Sequence, residues 1–394
     1  MRITVRWIAS IASILVFVIG LVSPVLAAEE LRVAVILRIS GDIGYKMIQM
    51  MNLRTEELNA KGGINGRQVK LITYDEQCVP SVGVEMTNRA IYQDQVLVIV
   101  GNNCSGVTLA TTPISARGAT PQITPHSTAT AITRLGSAWI FRVAIPDLYQ
   151  SQTLADYIAG TLGKKRIALL HESEAMGKGF ADSYTERLAQ KWNLQPVVVD
   201  QFASKTLDMK SQLLKAKAAN PEVLAIFGHE SEGALGWMQA RDVGIPDSVL
   251  RVGASASCSR EVPTMGGDAV KGVIFPCPFT PFDPDPRVQE FVHMVQSRYG
   301  LFPDHNYAES ADAMDIVFDA LKRANVKNTP DSLAEDRTKV RDAIAAVKNY
   351  QGLSGRITFC ADPTPDCRDG NRQPLILRYA SGGVNATHEI LQRP

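Results

Sequence analysis

Short apolar runs alternate with stretches of helical periodicity along most of this chain. Runs suited to buried strands lie at Leu31–Leu37, Val69–Tyr74, Val96–Val100, Pro121–Thr124 and Ile140–Val143. A second set lies at Arg166–Leu170, Gln195–Val199, Glu222–Phe227, Val249–Val252 and Gly272–Phe275. Between them, apolar positions recur at helical spacing over Tyr45–Ala60, Ser81–Tyr92, Tyr149–Thr161, Gly179–Lys191, Met209–Ala219 and Gly233–Asp242. The segments "NAKGG" and "RDVGIP" each place glycine just after a helix, as a stop signal should. This alternation predicts an α/β protein with doubly wound parallel sheets and helices on both faces. In such folds ligands bind beyond the carboxyl ends of the strands.

The rhythm breaks at "FPCPFTPFDPDPR", residues 275–287, whose prolines read as a connector rather than a strand or helix interior. Helical stretches follow at Pro286–Tyr299, Tyr307–Ala324 and Pro330–Lys348. The chain then ends on "RITFC", "PLILRY" and "HEILQ", all short strand candidates. Each half carries several strand–helix units, which suits two similar lobes.

The first residues differ from the rest. Arg2 and Arg6 precede an apolar run from Trp7 to Val22, and "SPVLA" puts Val25 and Ala27 at small-residue positions before a cut. This predicts a cleavable secretory signal peptide over residues 1–27 and delivery to the periplasm. The run is short for a bilayer span. No cysteine follows it to carry a lipid anchor. Losing two arginines takes the formal charge from +1 to −1, so no general field favours nucleic acid or anionic lipid. The six cysteines are Cys78, Cys104, Cys258, Cys277, Cys360 and Cys367, an even number that reads as disulfides in an oxidising compartment. No C-x-x-C pair and no histidine cluster has metal spacing, so no metal or other cofactor is expected.

One stretch poses a sharper question. In "VIVGNNCSG", Val98 to Gly106, a cysteine and a serine follow an apolar run. A nucleophilic cysteine needs a thiolate and a neighbouring base. A phosphate cradle needs a lysine and a glycine spacing that are missing here. Half of a disulfide remains the simplest role.

Longer segments point to a family. "SGDIGYKMIQMMNLRTEELNAKGGINGRQVKLITYDEQCVP", "VGNNCSG", "PQITPHSTATAIT", "WIFRVAIPDLYQSQTLADYI", "IALLHESEAMGKGFADS" and "MQARDVGIP" occur in this order. Together they resemble the branched-chain amino-acid type of periplasmic solute-binding protein. The resemblance implies the type I periplasmic-binding-protein fold, two α/β lobes joined by a three-strand hinge. It gives a first lobe over 28–147 with 277–357 and a second over 148–276 with 358–394. It also implies a monomeric, non-enzymatic carrier that delivers a small molecule to the permease of an ABC transporter with a cytoplasmic ATPase. In that family a disulfide joins the positions of Cys78 and Cys104. Cys360 and Cys367 then pair by proximity, which leaves Cys258 for Cys277.

The same resemblance places a ligand site. Ser105 starts a helix, and His126, Ser127 and Thr128 sit where a second strand passes into a helix. The hydroxyl and N–H groups of Ser105 and Thr128 would grip a carboxylate, with the His126 carbonyl accepting from a ligand amine. The second lobe departs from the family. Met176 stands at the position of a ligand-stacking tyrosine. His229 or Glu230 falls at another tyrosine position, and Ser255 replaces the glutamate that normally meets the ligand ammonium. An unpaired ammonium is costly to desolvate. The expected solute is therefore a small carboxylate-bearing molecule, an amino acid or an organic or aromatic acid.

Two other functions compete. The same clamshell serves as the ligand domain of receptors. "VGASAS" is also a near miss for a hydrolase nucleophile elbow, with Ser257 at the second glycine and His293, His305 or His388 as downstream bases.

Overall fold

The first sheet grows outward from a strand that is apolar along nearly its whole length. The computed structural model describes residues 30–394, so the segment read as a signal peptide lies outside the described residues. Strand β1 (Leu31–Leu37) is flanked by β2 (Val69–Asp75) and β3 (Val98–Gly101), and β4 (Gln122–Thr124) and β5 (Ile140–Arg142) complete the sheet. All pairings are parallel, in the order β2-β1-β3-β4-β5. β1 is buried at every position but Arg32, as a strand covered on both faces must be.

The second sheet repeats the design. It contains β6 (Ile167–Glu172), β7 (Val198–Phe202), β8 (Val223–Phe227), β9 (Leu250–Gly253) and β10 (Ile274–Cys277). A separate hairpin joins β11 (Tyr350–Gly352) to β12 (Gly355–Ile357). Finally β13 (Leu375–Tyr379) and β14 (His388–Gln392) return antiparallel to the second sheet, giving the order β14-β13-β10-β9-β8-β6-β7.

Packing divides the molecule accordingly. Helices Asp42–Ala60, His305–Ala324 and Leu333–Ala345 share a core with β1, β3 and β12, through Met47, Met314, Val340 and Ile357. Helix Pro286–Tyr299 packs with Met50 and Leu53 of the same region. Trp237, Phe180 and Tyr184 anchor the two cores that sandwich the second sheet. The result is a two-lobe α/β protein whose chain passes between the lobes after β5, after β10 and after β12.

Three elements differ from the expected pattern, each for a local reason. The strand expected at Gln195–Val199 lies at Val198–Phe202, because β7 takes its register from β6 and Pro196 has no N–H to give a ladder. Pro276, expected in a connector, lies inside β10. It is tolerated because β9 pairs with β10 only at Ile274–Val252, so the proline sits past that neighbour. "RITFC", expected as a strand, contributes only Arg356 and Ile357 to the short β12 of the small hairpin.

Candidate ligand-binding cleft

The carboxyl ends of β3, β4, β6, β8 and β9 lead into loops that face one another across a cleft of about 520 Å³. That volume lies within the range of small-molecule sites, roughly 300–1,000 Å³. Ser105, His126, Thr128, Met176, His229, Glu230 and Ser255 all line it.

On the first lobe, the loop after β3 is fastened from several sides. Cys104 is bridged to Cys78, with Cα atoms 5.5 Å apart. The Cys104 N–H donates to buried Glu76 at 3.0 Å, and the Arg38 N–H donates to Asn103 Oδ1 at 2.7 Å. Burial pushes the Glu76 carboxyl up to about 8, against the N–H groups that favour its charge. Helix Ser105–Arg117 begins at the cleft, where first-turn N–H groups have no partner within the helix. The Ser105 hydroxyl accepts from the Ala129 N–H at 3.2 Å and so ties this loop to the next.

That next loop corrects an expectation. Thr128 does not stand at a helix start; only a single turn, Ala131–Arg134, follows it. The buried Arg142 guanidinium donates to the carbonyls of Ser127 and Ala129 at 3.4 and 2.7 Å, holding both in the irregular loop. Arg142 is fixed in turn by Asp369 at 2.6 Å. Ser127 is absent from the cleft lining. Its hydroxyl points inward, within 2.6 Å of Thr108 Oγ1, and donates to the Asn102 carbonyl at 3.1 Å, because the turn after Pro125 sends it toward the core. Asp147 is fully buried, and its N–H donates to the Thr128 carbonyl. Burial pushes the Asp147 carboxyl up to about 7.

On the second lobe the lining groups are charged side chains. Glu172, at the end of β6, accepts from the His229 N–H at 3.0 Å and lies 2.6 Å from His229 Nδ1. Burial opposes the His229 charge, but the Glu172 bond and the charges of Glu230, Glu172 and Glu232 raise its pKa to about 9. Burial likewise opposes the Glu172 charge, yet His229 holds that carboxyl below its ordinary value. Glu230 opens helix Glu230–Asp242, where the helix dipole favours an acidic group. Met176 lies in the first turn of helix Ala175–Trp192 and is buried. Ser255 opens a 3-10 turn, Ser255–Cys258, after β9. A nucleophile elbow needs a strand entering an α-helix, so this turn does not match the hydrolase pattern.

Several residues in or beside the cleft were given no part in the ligand site by the sequence reading. Lys46 and Glu261 meet across the lobes at 2.5 Å, with Asp42 and Asp304 within 2.9 and 3.5 Å of the ammonium. Burial opposes the Lys46 charge, but Asp304 and Glu261 more than offset this and raise its pKa. His305 and Glu309 also line the cleft, one helical turn apart on His305–Ala324. Burial and the His126 charge lower His305 to about 3, and burial lifts Glu309 to about 7. The helical spacing of His305 and Glu309 was a visible signal. Their meeting with His126 was not.

All six cysteines are paired, Cys258 with Cys277 and Cys360 with Cys367 besides the bridge already described. Residues 30–367 match the model of the periplasmic binding protein family. The chain belongs to that family. Among its relatives is the leucine-, isoleucine-, valine-, threonine- and alanine-binding protein of Pseudomonas aeruginosa, 26% identical over 86% of this chain and 88% of that protein. An amino acid binding protein of the same organism is 29% identical over 59% of this chain; the chain spans 61% of that protein's length. Among solved structures, the leucine binding protein LivK of Thermotoga maritima superposes with a TM-score of 0.81 at 25% identity, covering 92% of this chain and 99% of the other. No helix among the described residues is long and apolar enough to cross a membrane.

Proposed function

We propose that this chain is the extracytoplasmic solute-binding component of an ABC importer, working in the periplasm as a monomer. It takes a small carboxylate-bearing solute between lobes formed by 28–147 with 277–357 and by 148–276 with 358–394. It then presents the closed form to the membrane permease, whose cytoplasmic ATPase drives uptake. Family membership and the cleft between the lobes support the carrier role.

The solute is an organic acid rather than leucine, isoleucine or valine. The observation that carries this reading is the Glu172–His229 pair. The buried Glu172 carboxylate behind the second wall is bonded to a histidine whose pKa is raised to about 9. That wall therefore offers an imidazolium beside the carboxylates of Glu174, Glu230 and Glu232. Ser255 brings no charge to the position where a glutamate would pair with an ammonium. On the first wall, the free N–H groups at the start of helix Ser105–Arg117, with Thr128 beside them, suit a carboxylate. Met176 supplies an adaptable apolar surface for the body of the ligand.

Calorimetry of the mature protein against leucine and a panel of aliphatic and aromatic acids tests the reading. An acid should bind in the micromolar range or tighter, and leucine should not. Tight leucine binding that Glu230→Gln abolishes would overturn it, because Glu230 would then be the ammonium partner.

A further inference from the structure

The floor of the cleft gathers three potential metal-ligand atoms that make no hydrogen bond. His126 Nδ1, His305 Nδ1 and Glu309 Oε2 are buried, and none makes a hydrogen bond. They come from separate places: His126 from the loop after β4, His305 and Glu309 from one face of helix His305–Ala324. His305 is 5% exposed and Glu309 2%, so neither can turn to bulk water. Unpaired buried polar atoms cost about 1–3 kcal/mol each, and three in one place call for a shared partner.

We propose that His126, His305 and Glu309 form a binding site for a divalent transition-metal cation of the zinc or cobalt kind. One ligand atom from each residue lies within 4.8 Å of the other two, the one such group among the described residues. His126 Nδ1 and Glu309 Oε2 are 3.5 Å apart. Metal–ligand bonds of about 2.0–2.2 Å in tetrahedral array put neighbouring donors about 3.3–3.6 Å apart. That pair already has the required edge, and a small turn of the His305 ring brings the third donor in.

The donor chemistry selects the ion. Two imidazoles and one carboxylate suit zinc, cobalt or nickel, whereas calcium and magnesium prefer oxygen throughout. Three protein ligands leave a coordination position open. All three residues line the cleft, so that position is accessible to water or to an oxygen of the solute.

This inference stands apart from the identity of the solute, because it is tested without one. The tag-free mature protein, stripped with chelator, is titrated with cobalt(II) and watched for visible d–d absorption, then titrated with zinc in competition. The expected result is stoichiometric cobalt binding with a tetrahedral-type spectrum, displaced by zinc and not by magnesium or calcium. Glu309→Gln keeps the side-chain shape and should weaken binding at least about tenfold, as should His305→Gln. His293→Gln, at an exposed site on another helix, should leave it unchanged. Melting curves of the metal-free variants confirm that each is folded. Absence of d–d bands, or binding that persists in both Glu309→Gln and His305→Gln, overturns the proposal and leaves the solute reading untouched.

Discussion

The first-lobe wall of the cleft is held mainly by backbone contacts, whereas the second-lobe wall is held by charge. On the first, the Cys78–Cys104 bridge, the Glu76 bond to the Cys104 N–H and the Arg142 contacts to two carbonyls fix the course of the main chain. On the second, the positions of His229 and Glu230 depend on Glu172, a helix start and neighbouring carboxylates. Contacts that end on main-chain groups respond less to salt than contacts between two ionised side chains, although the Glu76 carboxyl, raised to about 8, still titrates on the first wall. The first wall is thus suited to a constant element of the ligand, its carboxylate. The second can change its chemistry residue by residue while the fold stays the same.

The largest difference between the walls should appear when the bridge is removed. Cys78→Ala with Cys104→Ala releases a loop with a sequence separation of 26, worth about 3–4 kcal/mol on the chain-entropy model. The Cys360–Cys367 bridge, with a separation of 7, closes a shorter loop worth about 2 kcal/mol. Denaturant unfolding of the two double variants should rank them in that order. The first should also weaken solute binding, because Ser105 follows Cys104 directly. If the Cys78 and Cys104 variant keeps full affinity, the bridge is not what holds this wall.

The next effect is on binding. Ser105→Ala and Thr128→Ala should each cost about 1–3 kcal/mol of affinity, the range for a hydrogen bond to a charged group, and Ser105→Ala should also lower the melting temperature of the free protein, because it takes the acceptor from the Ala129 N–H. Ser127→Ala should spare binding. Its hydroxyl is bonded inside the fold, so stability falls while affinity holds. Calorimetry and thermal melts on the same three variants separate the lining residues from their buried neighbour.

How much of this was readable in advance follows the same division. β1 announced itself, because a strand buried on both faces leaves an unbroken apolar run. β7 did not, because half of it faces solvent and its register comes from β6. In the cleft, the resemblance to the family pointed to Ser105 and Thr128, and both line it. The inward turn of Ser127 was not legible, since it depends on Arg142 and Asp369, which lie 227 positions apart. The Glu172–His229 and Lys46–Glu261 contacts were hidden for the same reason. They join residues 57 and 215 positions apart, and no periodicity reports on contacts of that range.

A smaller effect is expected where the walls touch. Lys46 on the first lobe and Glu261 on the second are in contact, and opening the lobes separates them. Burial lifts the Glu261 carboxyl to about 8, so above that pH Glu261→Gln keeps a hydrogen-bond acceptor but removes a charge, a loss of about 1 kcal/mol. Lys46 retains Asp42 and Asp304, so the ammonium is not left alone. The closed form should lose population, and solute affinity should fall a few-fold without new heat from the binding contacts. Small-angle scattering of the solute-free variant should report a more open average shape. An unchanged scattering profile together with unchanged affinity would show that the contact does not help hold the lobes together.

The smallest effect isolates the charge on the second wall. His229 has its pKa raised to about 9 in the folded protein, against about 6.5 unfolded. A raised pKa stabilises fully below the unfolded value and is lost as pH rises through the folded one. The His229 contribution is therefore present at pH 6 and fades between about pH 7 and 9. Glu172 runs the opposite way: its folded pKa is lowered, so its contribution is present above its unfolded value and lost on acidification. Glu230, Glu232 and Asp147 also face His229 and add to the pull on its proton. With the side chain 41% exposed, solvent screens much of this and the effect on stability is modest. Melting temperatures of solute-free wild type and His229→Gln should differ most near pH 6 and converge above pH 9. A gap that stays constant across that range would mean that His229 is neutral in the folded protein, and Lys205 alone would then be left as a cation on the second wall to favour an acid.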